Sequence, residues 1–322
     1  MRAVVIGSGL AGVTLAEALA KQPGVEVLVV TAETHGYYSR PRLSHGVSSE
    51  ASPVLKSFGA MSPVRVLAGA RIEAIERDER SLALEDGTRL PYDVLVLATG
   101  SAARIPPPLM PFRPQFLTLN SLDDLLTLRR RRAKALAQGA RPRWAIIGGG
   151  LIGCELASDL NKAGDAVTIF HRERRLLELQ LDEAQSRALD RHFAERGVEV
   201  RYDQDVRELF PRTLFEGVVV CAGFAPRVEL AREAGLATAR GIAVNRYLAT
   251  ADPAIYAVGD VAEIDGRLYP FVSPIRSQAL WLAAHIARPA DAPWQAPPFT
   301  PMVKIHGWPP DAVRRHDVAL RA

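Results

Sequence analysis

Residues 3–33 read AVVIGSGLAGVTLAEALAKQPGVEVLVVTAE, and this stretch decides the fold. It opens with an apolar run at Ala3–Ile6, which is typical of a buried strand. A helical pattern follows from about Leu10 to Lys21, and a second apolar run at Val25–Val30 predicts the next strand. With glycines at the first turn, this order of strand, helix and strand predicts a βαβ unit that binds a dinucleotide.

Three glycines stand at G-x-G-x-x-G spacing in the first turn, and each has a physical role. Gly7 permits the tight turn, Gly9 lets the backbone approach a pyrophosphate, and Gly12 lets the helix pack closely against the strand. The start of the helix offers N–H groups and a partial positive charge to the phosphates. Glu33 follows about 20 residues later, where a carboxylate accepts hydrogen bonds from ribose hydroxyls.

The same N-terminus admits a second interpretation, as a secretory signal. An apolar run there precedes Ala18-Leu19-Ala20, which has the small-residue pattern of a cleavage site. However, Glu17 interrupts the run, and the glycine spacing has no role in a signal peptide. We therefore favour the dinucleotide site.

Length and composition limit the other functions. A chain of 322 residues has room for two domains, or for three if one is small. No apolar run approaches the roughly 20 residues of a membrane span, and a net charge of +4 does not argue for nucleic acid. The two cysteines, Cys154 and Cys221, form no disulfide framework and fit a reducing compartment. We expect a cytoplasmic protein without nucleic-acid, membrane or metal binding.

The glycine-containing stretch that opens the chain occurs twice. RAVVIGSGLAG at Arg2 reappears as RWAIIGGGLIG at Arg143, and the second copy continues through a helix at Cys154–Ala163 and a strand at Ala166–Phe170. This repeat predicts two dinucleotide sites, with one functional and one inactive site as the alternative. The equivalent glycines of the second copy are Gly148, Gly150 and Gly153.

Two further segments also form a pair. Tyr92–Gly100 is a strand pattern ending in Ala-Thr-Gly, and Gly217–Gly223 is its counterpart after the second glycine motif. Each is interpreted as the last parallel strand of its unit. Another short strand, within Ile255–Asp260, presents Asp260 at its carboxyl end, where ligands bind in an open α/β sheet.

The remaining patterns set the domain boundaries. Ser273-Pro274 predicts the N-cap and first-turn proline of a helix ending near Ala287, and Met302–Ile305 predicts a short strand. Ile105–Pro114 and Leu236–Val244 predict the crossings between units. We therefore predict an α/β fold with two Rossmann-like domains and a truncated C-terminal segment: residues 1–110 with 242–293, residues 111–241, and residues 294–322.

Four segments together carry a family resemblance: the first glycine motif with Glu33, the Ala98-Thr99-Gly100 turn, the second glycine motif, and Ile255–Asp260. The chain resembles the FAD-dependent pyridine nucleotide-disulfide oxidoreductases of the glutathione-reductase type. Within that superfamily, smaller segments look like the rubredoxin and flavorubredoxin reductases, and the resemblance covers nearly the whole chain. These segments are Tyr38–His45, Leu117–Ser121, Tyr269–Ile275 and Met302–Ile305.

The resemblance implies two sets of cofactor-binding residues. Asp260 would bind the ribityl chain of FAD, and the helix near Ser273 would direct its N-terminus at the flavin. The FAD set is Gly7, Gly9, Leu10, Ala11, Gly12, Glu33, Arg40, Pro41, Thr99, Gly100, Gly259, Asp260, Phe271 and Lys304, and the nicotinamide set is Gly148, Gly150, Leu151, Ile152, Gly153, Glu155, His171, Arg172, Arg174 and Gly223.

The resemblance also implies how electrons leave the flavin. Disulfide reductases of this type need a cysteine pair beside the flavin, and related oxidases and peroxidases place one cysteine after a Leu-Ser pair. This chain has His45 there, and both of its cysteines are interpreted as inert core residues. Electrons would therefore leave directly from the flavin. His45 either tunes or protonates the flavin or is an ordinary loop histidine, and Lys304 would lie in the segment that covers the flavin.

Two departures from the family pattern affect the function. The family has a β-meander before the strand at Val218, and here only Asp205–Gly217 remain. The C-terminal domain is cut to a short segment after Trp294. A smaller lid would expose the flavin, alter the partner surface, or mark a subunit without activity.

Charged clusters bear on the cofactor and the partner. His171–Arg175 follows a strand where the adenosine ribose lies, and it resembles the His-Arg-Arg motif of NADPH-dependent thioredoxin reductases. Arg172 and Arg174 thus slightly favour NADPH, whereas Glu173 would favour NADH, and plain surface charges are a third interpretation. A basic run at Arg129–Arg132 is either a solvated helix face or a docking patch for an acidic carrier.

The function that follows is that of an FAD-dependent NAD(P)H reductase. Hydride would pass from NADPH or NADH to the flavin, and single electrons would then pass to a small acidic iron carrier, rubredoxin-like or ferredoxin-like. The alternative is a flavin-holding or regulatory subunit of a larger redox complex, without turnover of its own.

Overall fold

Two open parallel sheets with flanking helices form the framework of the chain, so the predicted α/β fold with two Rossmann-like units is confirmed. The computed structural model describes residues 1–49, 51–210 and 214–309. The strands are β1 (Arg2–Ile6), β2 (Glu26–Thr31), β3 (Tyr37–Tyr38), β4 (Val54–Lys56), β5 (Arg65–Ala68), β6 (Ile72–Glu76), β7 (Ser81–Leu84), β8 (Arg89–Pro91), β9 (Val94–Leu97), β10 (Ser101–Ala103), β11 (Arg143–Ile147), β12 (Ala166–His171), β13 (Glu199–Tyr202), β14 (Gly217–Val220), β15 (Phe224–Pro226), β16 (Ile242–Val244), β17 (Ile255–Ala257), β18 (Ala262–Ile264) and β19 (Arg267–Leu268).

Helices connect these strands. The α-helices are α1 (Leu10–Leu19), α2 (Leu122–Ala137), α3 (Leu151–Lys162), α4 (Glu183–Glu195), α5 (Glu229–Glu233) and α6 (Val272–Ala287). Short 3-10 helices cover Arg40–Arg42, Ser44–Gly46, Phe58–Met61, Pro107–Gln115, Val206–Leu209 and Gly259–Val261.

The first sheet has the strand order β17-β9-β1-β2-β5, and all of its pairs are parallel. Helices α1 and α6 pack against each other and bury their apolar sides in the core of this sheet. Because the strands are parallel, the turns that follow β1, β9 and β17 lie at one edge. That edge therefore brings together the first glycine motif, the turn after Leu97 and Asp260.

The second sheet repeats this arrangement with the order β13-β12-β11-β14, again parallel throughout. Arg143 lies opposite Ala166, as Arg2 lies opposite Glu26 in the first sheet. Helix α3 follows β11 as α1 follows β1. The sequence repeat is therefore also a structural repeat.

The two units differ where the sequence predicts a shortened meander. Between β5 and β9, the first unit carries the antiparallel three-stranded sheet β6-β7-β8. In the second unit, a single 3-10 helix at Val206–Leu209 lies between β13 and β14 in the described residues, and 211–213 fall outside them.

A short segment after β15 packs with the first sheet. Val228, Ala231 and Leu236 are buried in the core of the first sheet, although the predicted second domain extends to residue 241. Antiparallel pairing of β10 with β15 links the two units just before these residues. Helix α5 therefore packs with the first unit.

The described part of the C-terminal segment spans both units. Trp294 is buried in the first core, whereas Val303 and Ile305 are buried in the second. The predicted strand at Met302–Ile305 does not form, because backbone amides here bond to side chains of α3 rather than to a strand. Lys304 N donates to Glu155 Oε1 at 3.1 Å.

Helix α6 begins two residues earlier than predicted. Its N-cap is Phe271, with extended backbone and no side-chain cap, and Ser273 and Pro274 lie inside the first turn. The helix ends at Ala287 as predicted. No helix in the described ranges has the length and apolar character that a membrane crossing requires.

Candidate functional site

One large cavity is lined by the carboxyl ends of both sheets and has a volume of about 3090 Å³. Typical ligand pockets measure roughly 300–1,000 Å³, so this one has room for two dinucleotides. Gly12, Gly153, His45 and Arg174 do not line it. The predicted residues that do are Gly7, Gly9, Leu10, Ala11, Glu33, Arg40, Pro41, Thr99, Gly100, Gly148, Gly150, Leu151, Ile152, Glu155, His171, Arg172, Gly223, Gly259, Asp260, Phe271 and Lys304.

The first glycine loop has no space for side chains at two positions. Gly7 has a φ of +110°, and a Cβ atom there would overlap the carbonyl oxygen of Ala98. A Cβ atom on Gly12 would overlap the carbonyl oxygen of Gly7, so Gly12 serves the packing of α1 against β1. Gly9 is the N-cap of α1 and leaves the backbone at the helix start open to the cavity. This arrangement fits a pyrophosphate at the helix N-terminus.

The second loop repeats the first closely. Gly148 has a φ of +114°, and a Cβ atom there would overlap the carbonyl oxygen of Cys221. A Cβ atom on Gly153 would likewise overlap the carbonyl oxygen of Gly148. At Gly150, the N-cap of α3, an added Cβ atom would meet no atom within 4 Å. Both loops thus keep an open approach to a helix N-terminus.

Glu33 is held at the cavity wall by two neighbours. Tyr38 Oη donates to Glu33 Oε1 at 2.7 Å, and Arg40 Nη2 donates to the same oxygen at 2.8 Å. Arg40 also donates to the carbonyl of Asn120 at 2.6 Å. Burial, with a smaller effect from the Glu33 carboxylate, raises the pKa of Tyr38, which stays a donor. Since both contacts use Oε1, Oε2 is the oxygen that can accept from a ribose.

Asp260 lies beyond β17 in the 3-10 helix Gly259–Val261 and lines the cavity. Ser101 Oγ donates to its Oδ2 at 2.8 Å. Burial raises the pKa of this carboxyl above its ordinary value, and the Ser101 hydrogen bond opposes that shift. A partly desolvated carboxylate with one donor is suited to accept further hydrogen bonds from polyol hydroxyls.

The first turn of α6 and Lys304 complete this half of the cavity. Phe271 packs its ring 5.1 Å from that of Phe299, and both residues line the cavity beside the uncapped helix start. Lys304 Nζ donates to the carbonyl of Pro41 at 3.1 Å, so the C-terminal segment covers the first unit at this point.

The three residues predicted to select the second cofactor, His171, Arg172 and Arg174, make different contacts. His171 is buried, its Nδ1 accepts from Gly149 N at 3.0 Å, and its Nε2 lies 3.1 Å from Glu178 Oε2. The ring therefore supports the glycine loop. Arg172 pairs with Glu173 at 2.7 Å at the cavity rim, whereas Arg174 is exposed and does not line the cavity.

His45 lies outside the cavity, so the structure does not bring it to the predicted position beside the flavin. Its Nδ1 lies 2.9 Å from Asp159 Oδ2. Cys154 is buried and Cys221 lines the cavity, and burial raises the pKa of both thiols, to about 12 for Cys221.

Several residues in or beside the cavity have roles that the sequence does not indicate. Tyr38 and Asn120 lie in segments quoted for the resemblance, but their contacts with Glu33 and Arg40 depend on the fold. Arg227 also lines the cavity, and burial lowers its pKa. Its position after β15 carries no sequence signal.

Comparisons with known proteins agree with this geometry. Residues 1–287 match the family described as pyridine nucleotide-disulphide oxidoreductase. The chain is 32% identical over 339 residues to a nitric oxide reductase FlRd-NAD(+) reductase of Salmonella heidelberg (strain SL476), covering 98% of this chain and 87% of the relative.

Solved structures show the same fold. The reductase of a covalent putidaredoxin reductase–putidaredoxin complex superposes with a TM-score of 0.82 at 28% identity, covering 95% of this chain and 79% of that one. The NADH:rubredoxin oxidoreductase of Clostridium acetobutylicum gives a TM-score of 0.84 at 24% identity, covering 95% and 80%. The chain belongs to the pyridine nucleotide-disulphide oxidoreductase family.

Proposed function

We propose that the chain is an FAD-dependent NADH reductase that passes electrons to a small iron protein. The observation that carries this proposal is the pair of matched glycine loops that open into one cavity. A relative named as a FlRd-NAD(+) reductase and a solved reductase–putidaredoxin complex support it. Two thiols with raised pKa values argue against a thiol relay.

The chain's own residues bind and orient the cofactors. The first glycine loop would hold the FAD pyrophosphate, Glu33 the ribose, and Asp260 the ribityl chain. The start of α6 would place its partial positive charge beside the flavin ring. When bound, the flavin supplies the chemistry that couples a two-electron donor to a one-electron acceptor.

We favour NADH as the donor on the geometry of the second loop. The imidazole of His171 accepts a hydrogen bond from Gly149 N, and Arg174 does not line the cavity. Of the residues predicted to bind a 2′-phosphate, only Arg172 could therefore reach it. Glu173 also lines the rim, and its carboxylate can accept from a 2′-hydroxyl. The preference for NADPH stays an untested prediction.

An acceptor would dock at the cavity mouth. Among the exposed residues that line the cavity are three apolar side chains on α6 and in the C-terminal segment and two arginines, and this mixture suits a partly acidic partner. By contrast, the predicted basic run on α2 does not line the cavity. The residues at the mouth are Val272, Leu280, Met302, Arg42 and Arg276.

A spectrum of the purified protein tests the proposal. Without oxygen, NADH should bleach a bound yellow flavin rapidly, and NADPH should do so more slowly. Adding oxidised rubredoxin or a ferredoxin should restore the flavin colour and bleach the iron protein. Faster bleaching with NADPH would overturn the choice of NADH, and failure of every iron protein would overturn the acceptor alone.

A flavin-holding subunit without turnover is the second candidate. The observation in its favour is the short connection between β13 and β14, where the second unit lacks the meander of the first in the described residues. A yellow protein that neither nicotinamide bleaches would establish this alternative.

A further inference from the structure

A side-chain cluster outside the cavity joins three distant parts of the chain. His45 comes from the 3-10 helix Ser44–Gly46, Asp159 from α3, and His306 from the C-terminal segment. Asp159 Oδ2 lies 2.9 Å from His45 Nδ1, and its Oδ1 lies 2.8 Å from His306 Nε2. One ligand atom from each residue can be chosen so that all three lie within 4.8 Å of one another.

This donor set suits a borderline divalent metal ion. Two imidazole nitrogens and one carboxylate oxygen are common zinc ligands, with bonds of about 2.0–2.2 Å. Ligand atoms of a tetrahedral site with such bonds lie roughly 3.3 Å apart, so small side-chain rotations would adapt the cluster. Zinc has no geometric preference of its own, which favours it over metals with stricter demands.

Burial and access also fit a metal site. The side chain of Asp159 is only 5% exposed and is fixed on a helix, whereas those of His45 and His306 are 34% and 38% exposed. The rigid carboxylate would thus set the position, and water could reach the open side to supply a fourth ligand. We propose that His45, Asp159 and His306 form a zinc site that ties the C-terminal segment to both dinucleotide-binding units.

Lys162 places a positive charge beside the cluster. Lys162 Nζ lies 3.5 Å from His306 Nδ1, and with zinc on Nε2 that nitrogen would carry a proton. Lys162 is exposed, so its ammonium can turn into water. Lys162→Gln should therefore bind zinc at least as tightly as wild type. No sequence motif marks this site, because its ligands are more than a hundred residues apart.

Zinc binding to the full-length, flavin-bound protein tests the proposal. The protein is stripped with EDTA, freed of the chelator and titrated with zinc chloride by calorimetry. We expect one zinc per chain with a dissociation constant below about 1 μM. Zinc should also raise Tm in proportion to the logarithm of its concentration, because it would bind the folded state.

Amide variants separate metal binding from hydrogen bonding. His45→Asn and His306→Gln keep an N–H donor for Asp159 but remove a good zinc ligand, and each should weaken binding at least about 100-fold. His35→Ala is the matched control, since His35 also pairs with a carboxylate, that of Asp123 at 2.8 Å, outside the cluster. It should bind zinc as wild type does.

Two outcomes would overturn the site. One is a wild-type protein that takes up no zinc under these conditions. The other is a pair of amide variants that bind zinc as tightly as wild type and show the same rise in Tm. Neither readout depends on turnover, so failure here leaves the proposed reductase function unaffected.

Discussion

Asp260 shows how a single buried carboxyl can serve cofactor binding. Its neighbours provide one hydroxyl donor, from Ser101, and the rest of the carboxylate faces the cavity. Asp260→Leu would leave ribityl hydroxyls against an apolar group, at a cost of about 1–3 kcal/mol. We expect this variant to purify depleted in FAD, as measured by flavin absorbance per chain. Full occupancy would contradict the assignment.

The pH dependence of stability gives an independent prediction for the same residue. Burial raises the pKa of Asp260 above 3.8, so the flavin-free fold loses stability as the pH rises from 3.8 through the raised value, where the carboxyl ionises. Asp260→Asn should therefore raise the Tm of the flavin-free protein at pH 7. Near pH 4 the difference should be smaller, because the native-state carboxyl takes up its proton at a higher pH than the unfolded-state carboxyl does. An equal difference at both pH values would show that the charge is irrelevant.

The thiols give a further prediction at the residue level. Burial raises the pKa of Cys221 to about 12 and that of Cys154 as well, so neither forms an appreciable thiolate at neutral pH. Iodoacetamide should alkylate the native protein slowly and leave flavin reduction intact, and both sites should react once the chain is unfolded in urea. Rapid loss of activity with labelling at Cys221 would contradict this.

Individual residues were predictable from sequence where their role is local. The glycines at the two turns are examples, because a Cβ atom on Gly12 or Gly153 meets the backbone only five residues away. The roles of His171 and His45 were not predictable. Each depends on a contact that the fold creates, with Gly149 in one case and with Asp159 in the other.

The matched βαβ elements allow a paired test. Gly12→Ala and Gly153→Ala introduce the same methyl group at equivalent positions, against the carbonyls of Gly7 and Gly148. We expect the first variant to lose FAD. The second should retain FAD but be reduced by NADH at least about 10-fold more slowly, because only the second loop is displaced.

The control for this pair is Gly59→Ala. Gly59 lies in a 3-10 helix with no atom within 4 Å of an added Cβ, and its φ is outside the left-handed range. It should keep both the flavin and the rate of reduction by NADH. Loss of FAD from the Gly153 variant would mean that the two loops are not independent.

At the element level, sequence periodicity was a good guide to helices and parallel strands. Helix α2 spans Leu122–Ala137, and Ser121 and Asp124 form a capping box at its start. The segment at Met302–Ile305 has a strand-like pattern but forms no strand. Val303 and Ile305 are buried in the second core, and the backbone amide of Lys304 donates to Glu155 of α3 rather than to a neighbouring strand.

Across the whole molecule, the cavity depends on how the two units and the C-terminal segment are assembled. The sequence shows two units but not their boundary, because α5 follows the second sheet in the chain and packs with the first. It also does not reveal that residues 294–309 bridge both cores. These features arise from long-range packing, which local patterns do not encode.

Charge at the cavity mouth should govern the encounter with the iron protein. Arg276 is exposed and lines the cavity, whereas Arg130 is exposed on α2 and does not. Two members of the basic run are used internally: Arg129 donates to the carbonyl of Gly46 and Arg132 to Asp165. Steering toward an acidic partner therefore should depend on Arg276, and it should weaken as salt shortens the Debye length to about 8–10 Å.

A pair of charge reversals tests where docking takes place. Arg276→Glu and Arg130→Glu change the net charge equally, so a difference between them reports position. We expect Arg276→Glu to slow rubredoxin reduction roughly 2- to 10-fold at low salt and to flatten its salt dependence, because a rim charge acts mainly on the association rate. Arg130→Glu should behave as wild type, and flavin reduction by NADH should change little in either variant. If Arg130→Glu slowed rubredoxin reduction more than Arg276→Glu, the docking site would lie on α2. The charge reversal that slows reduction more marks the surface that meets the partner.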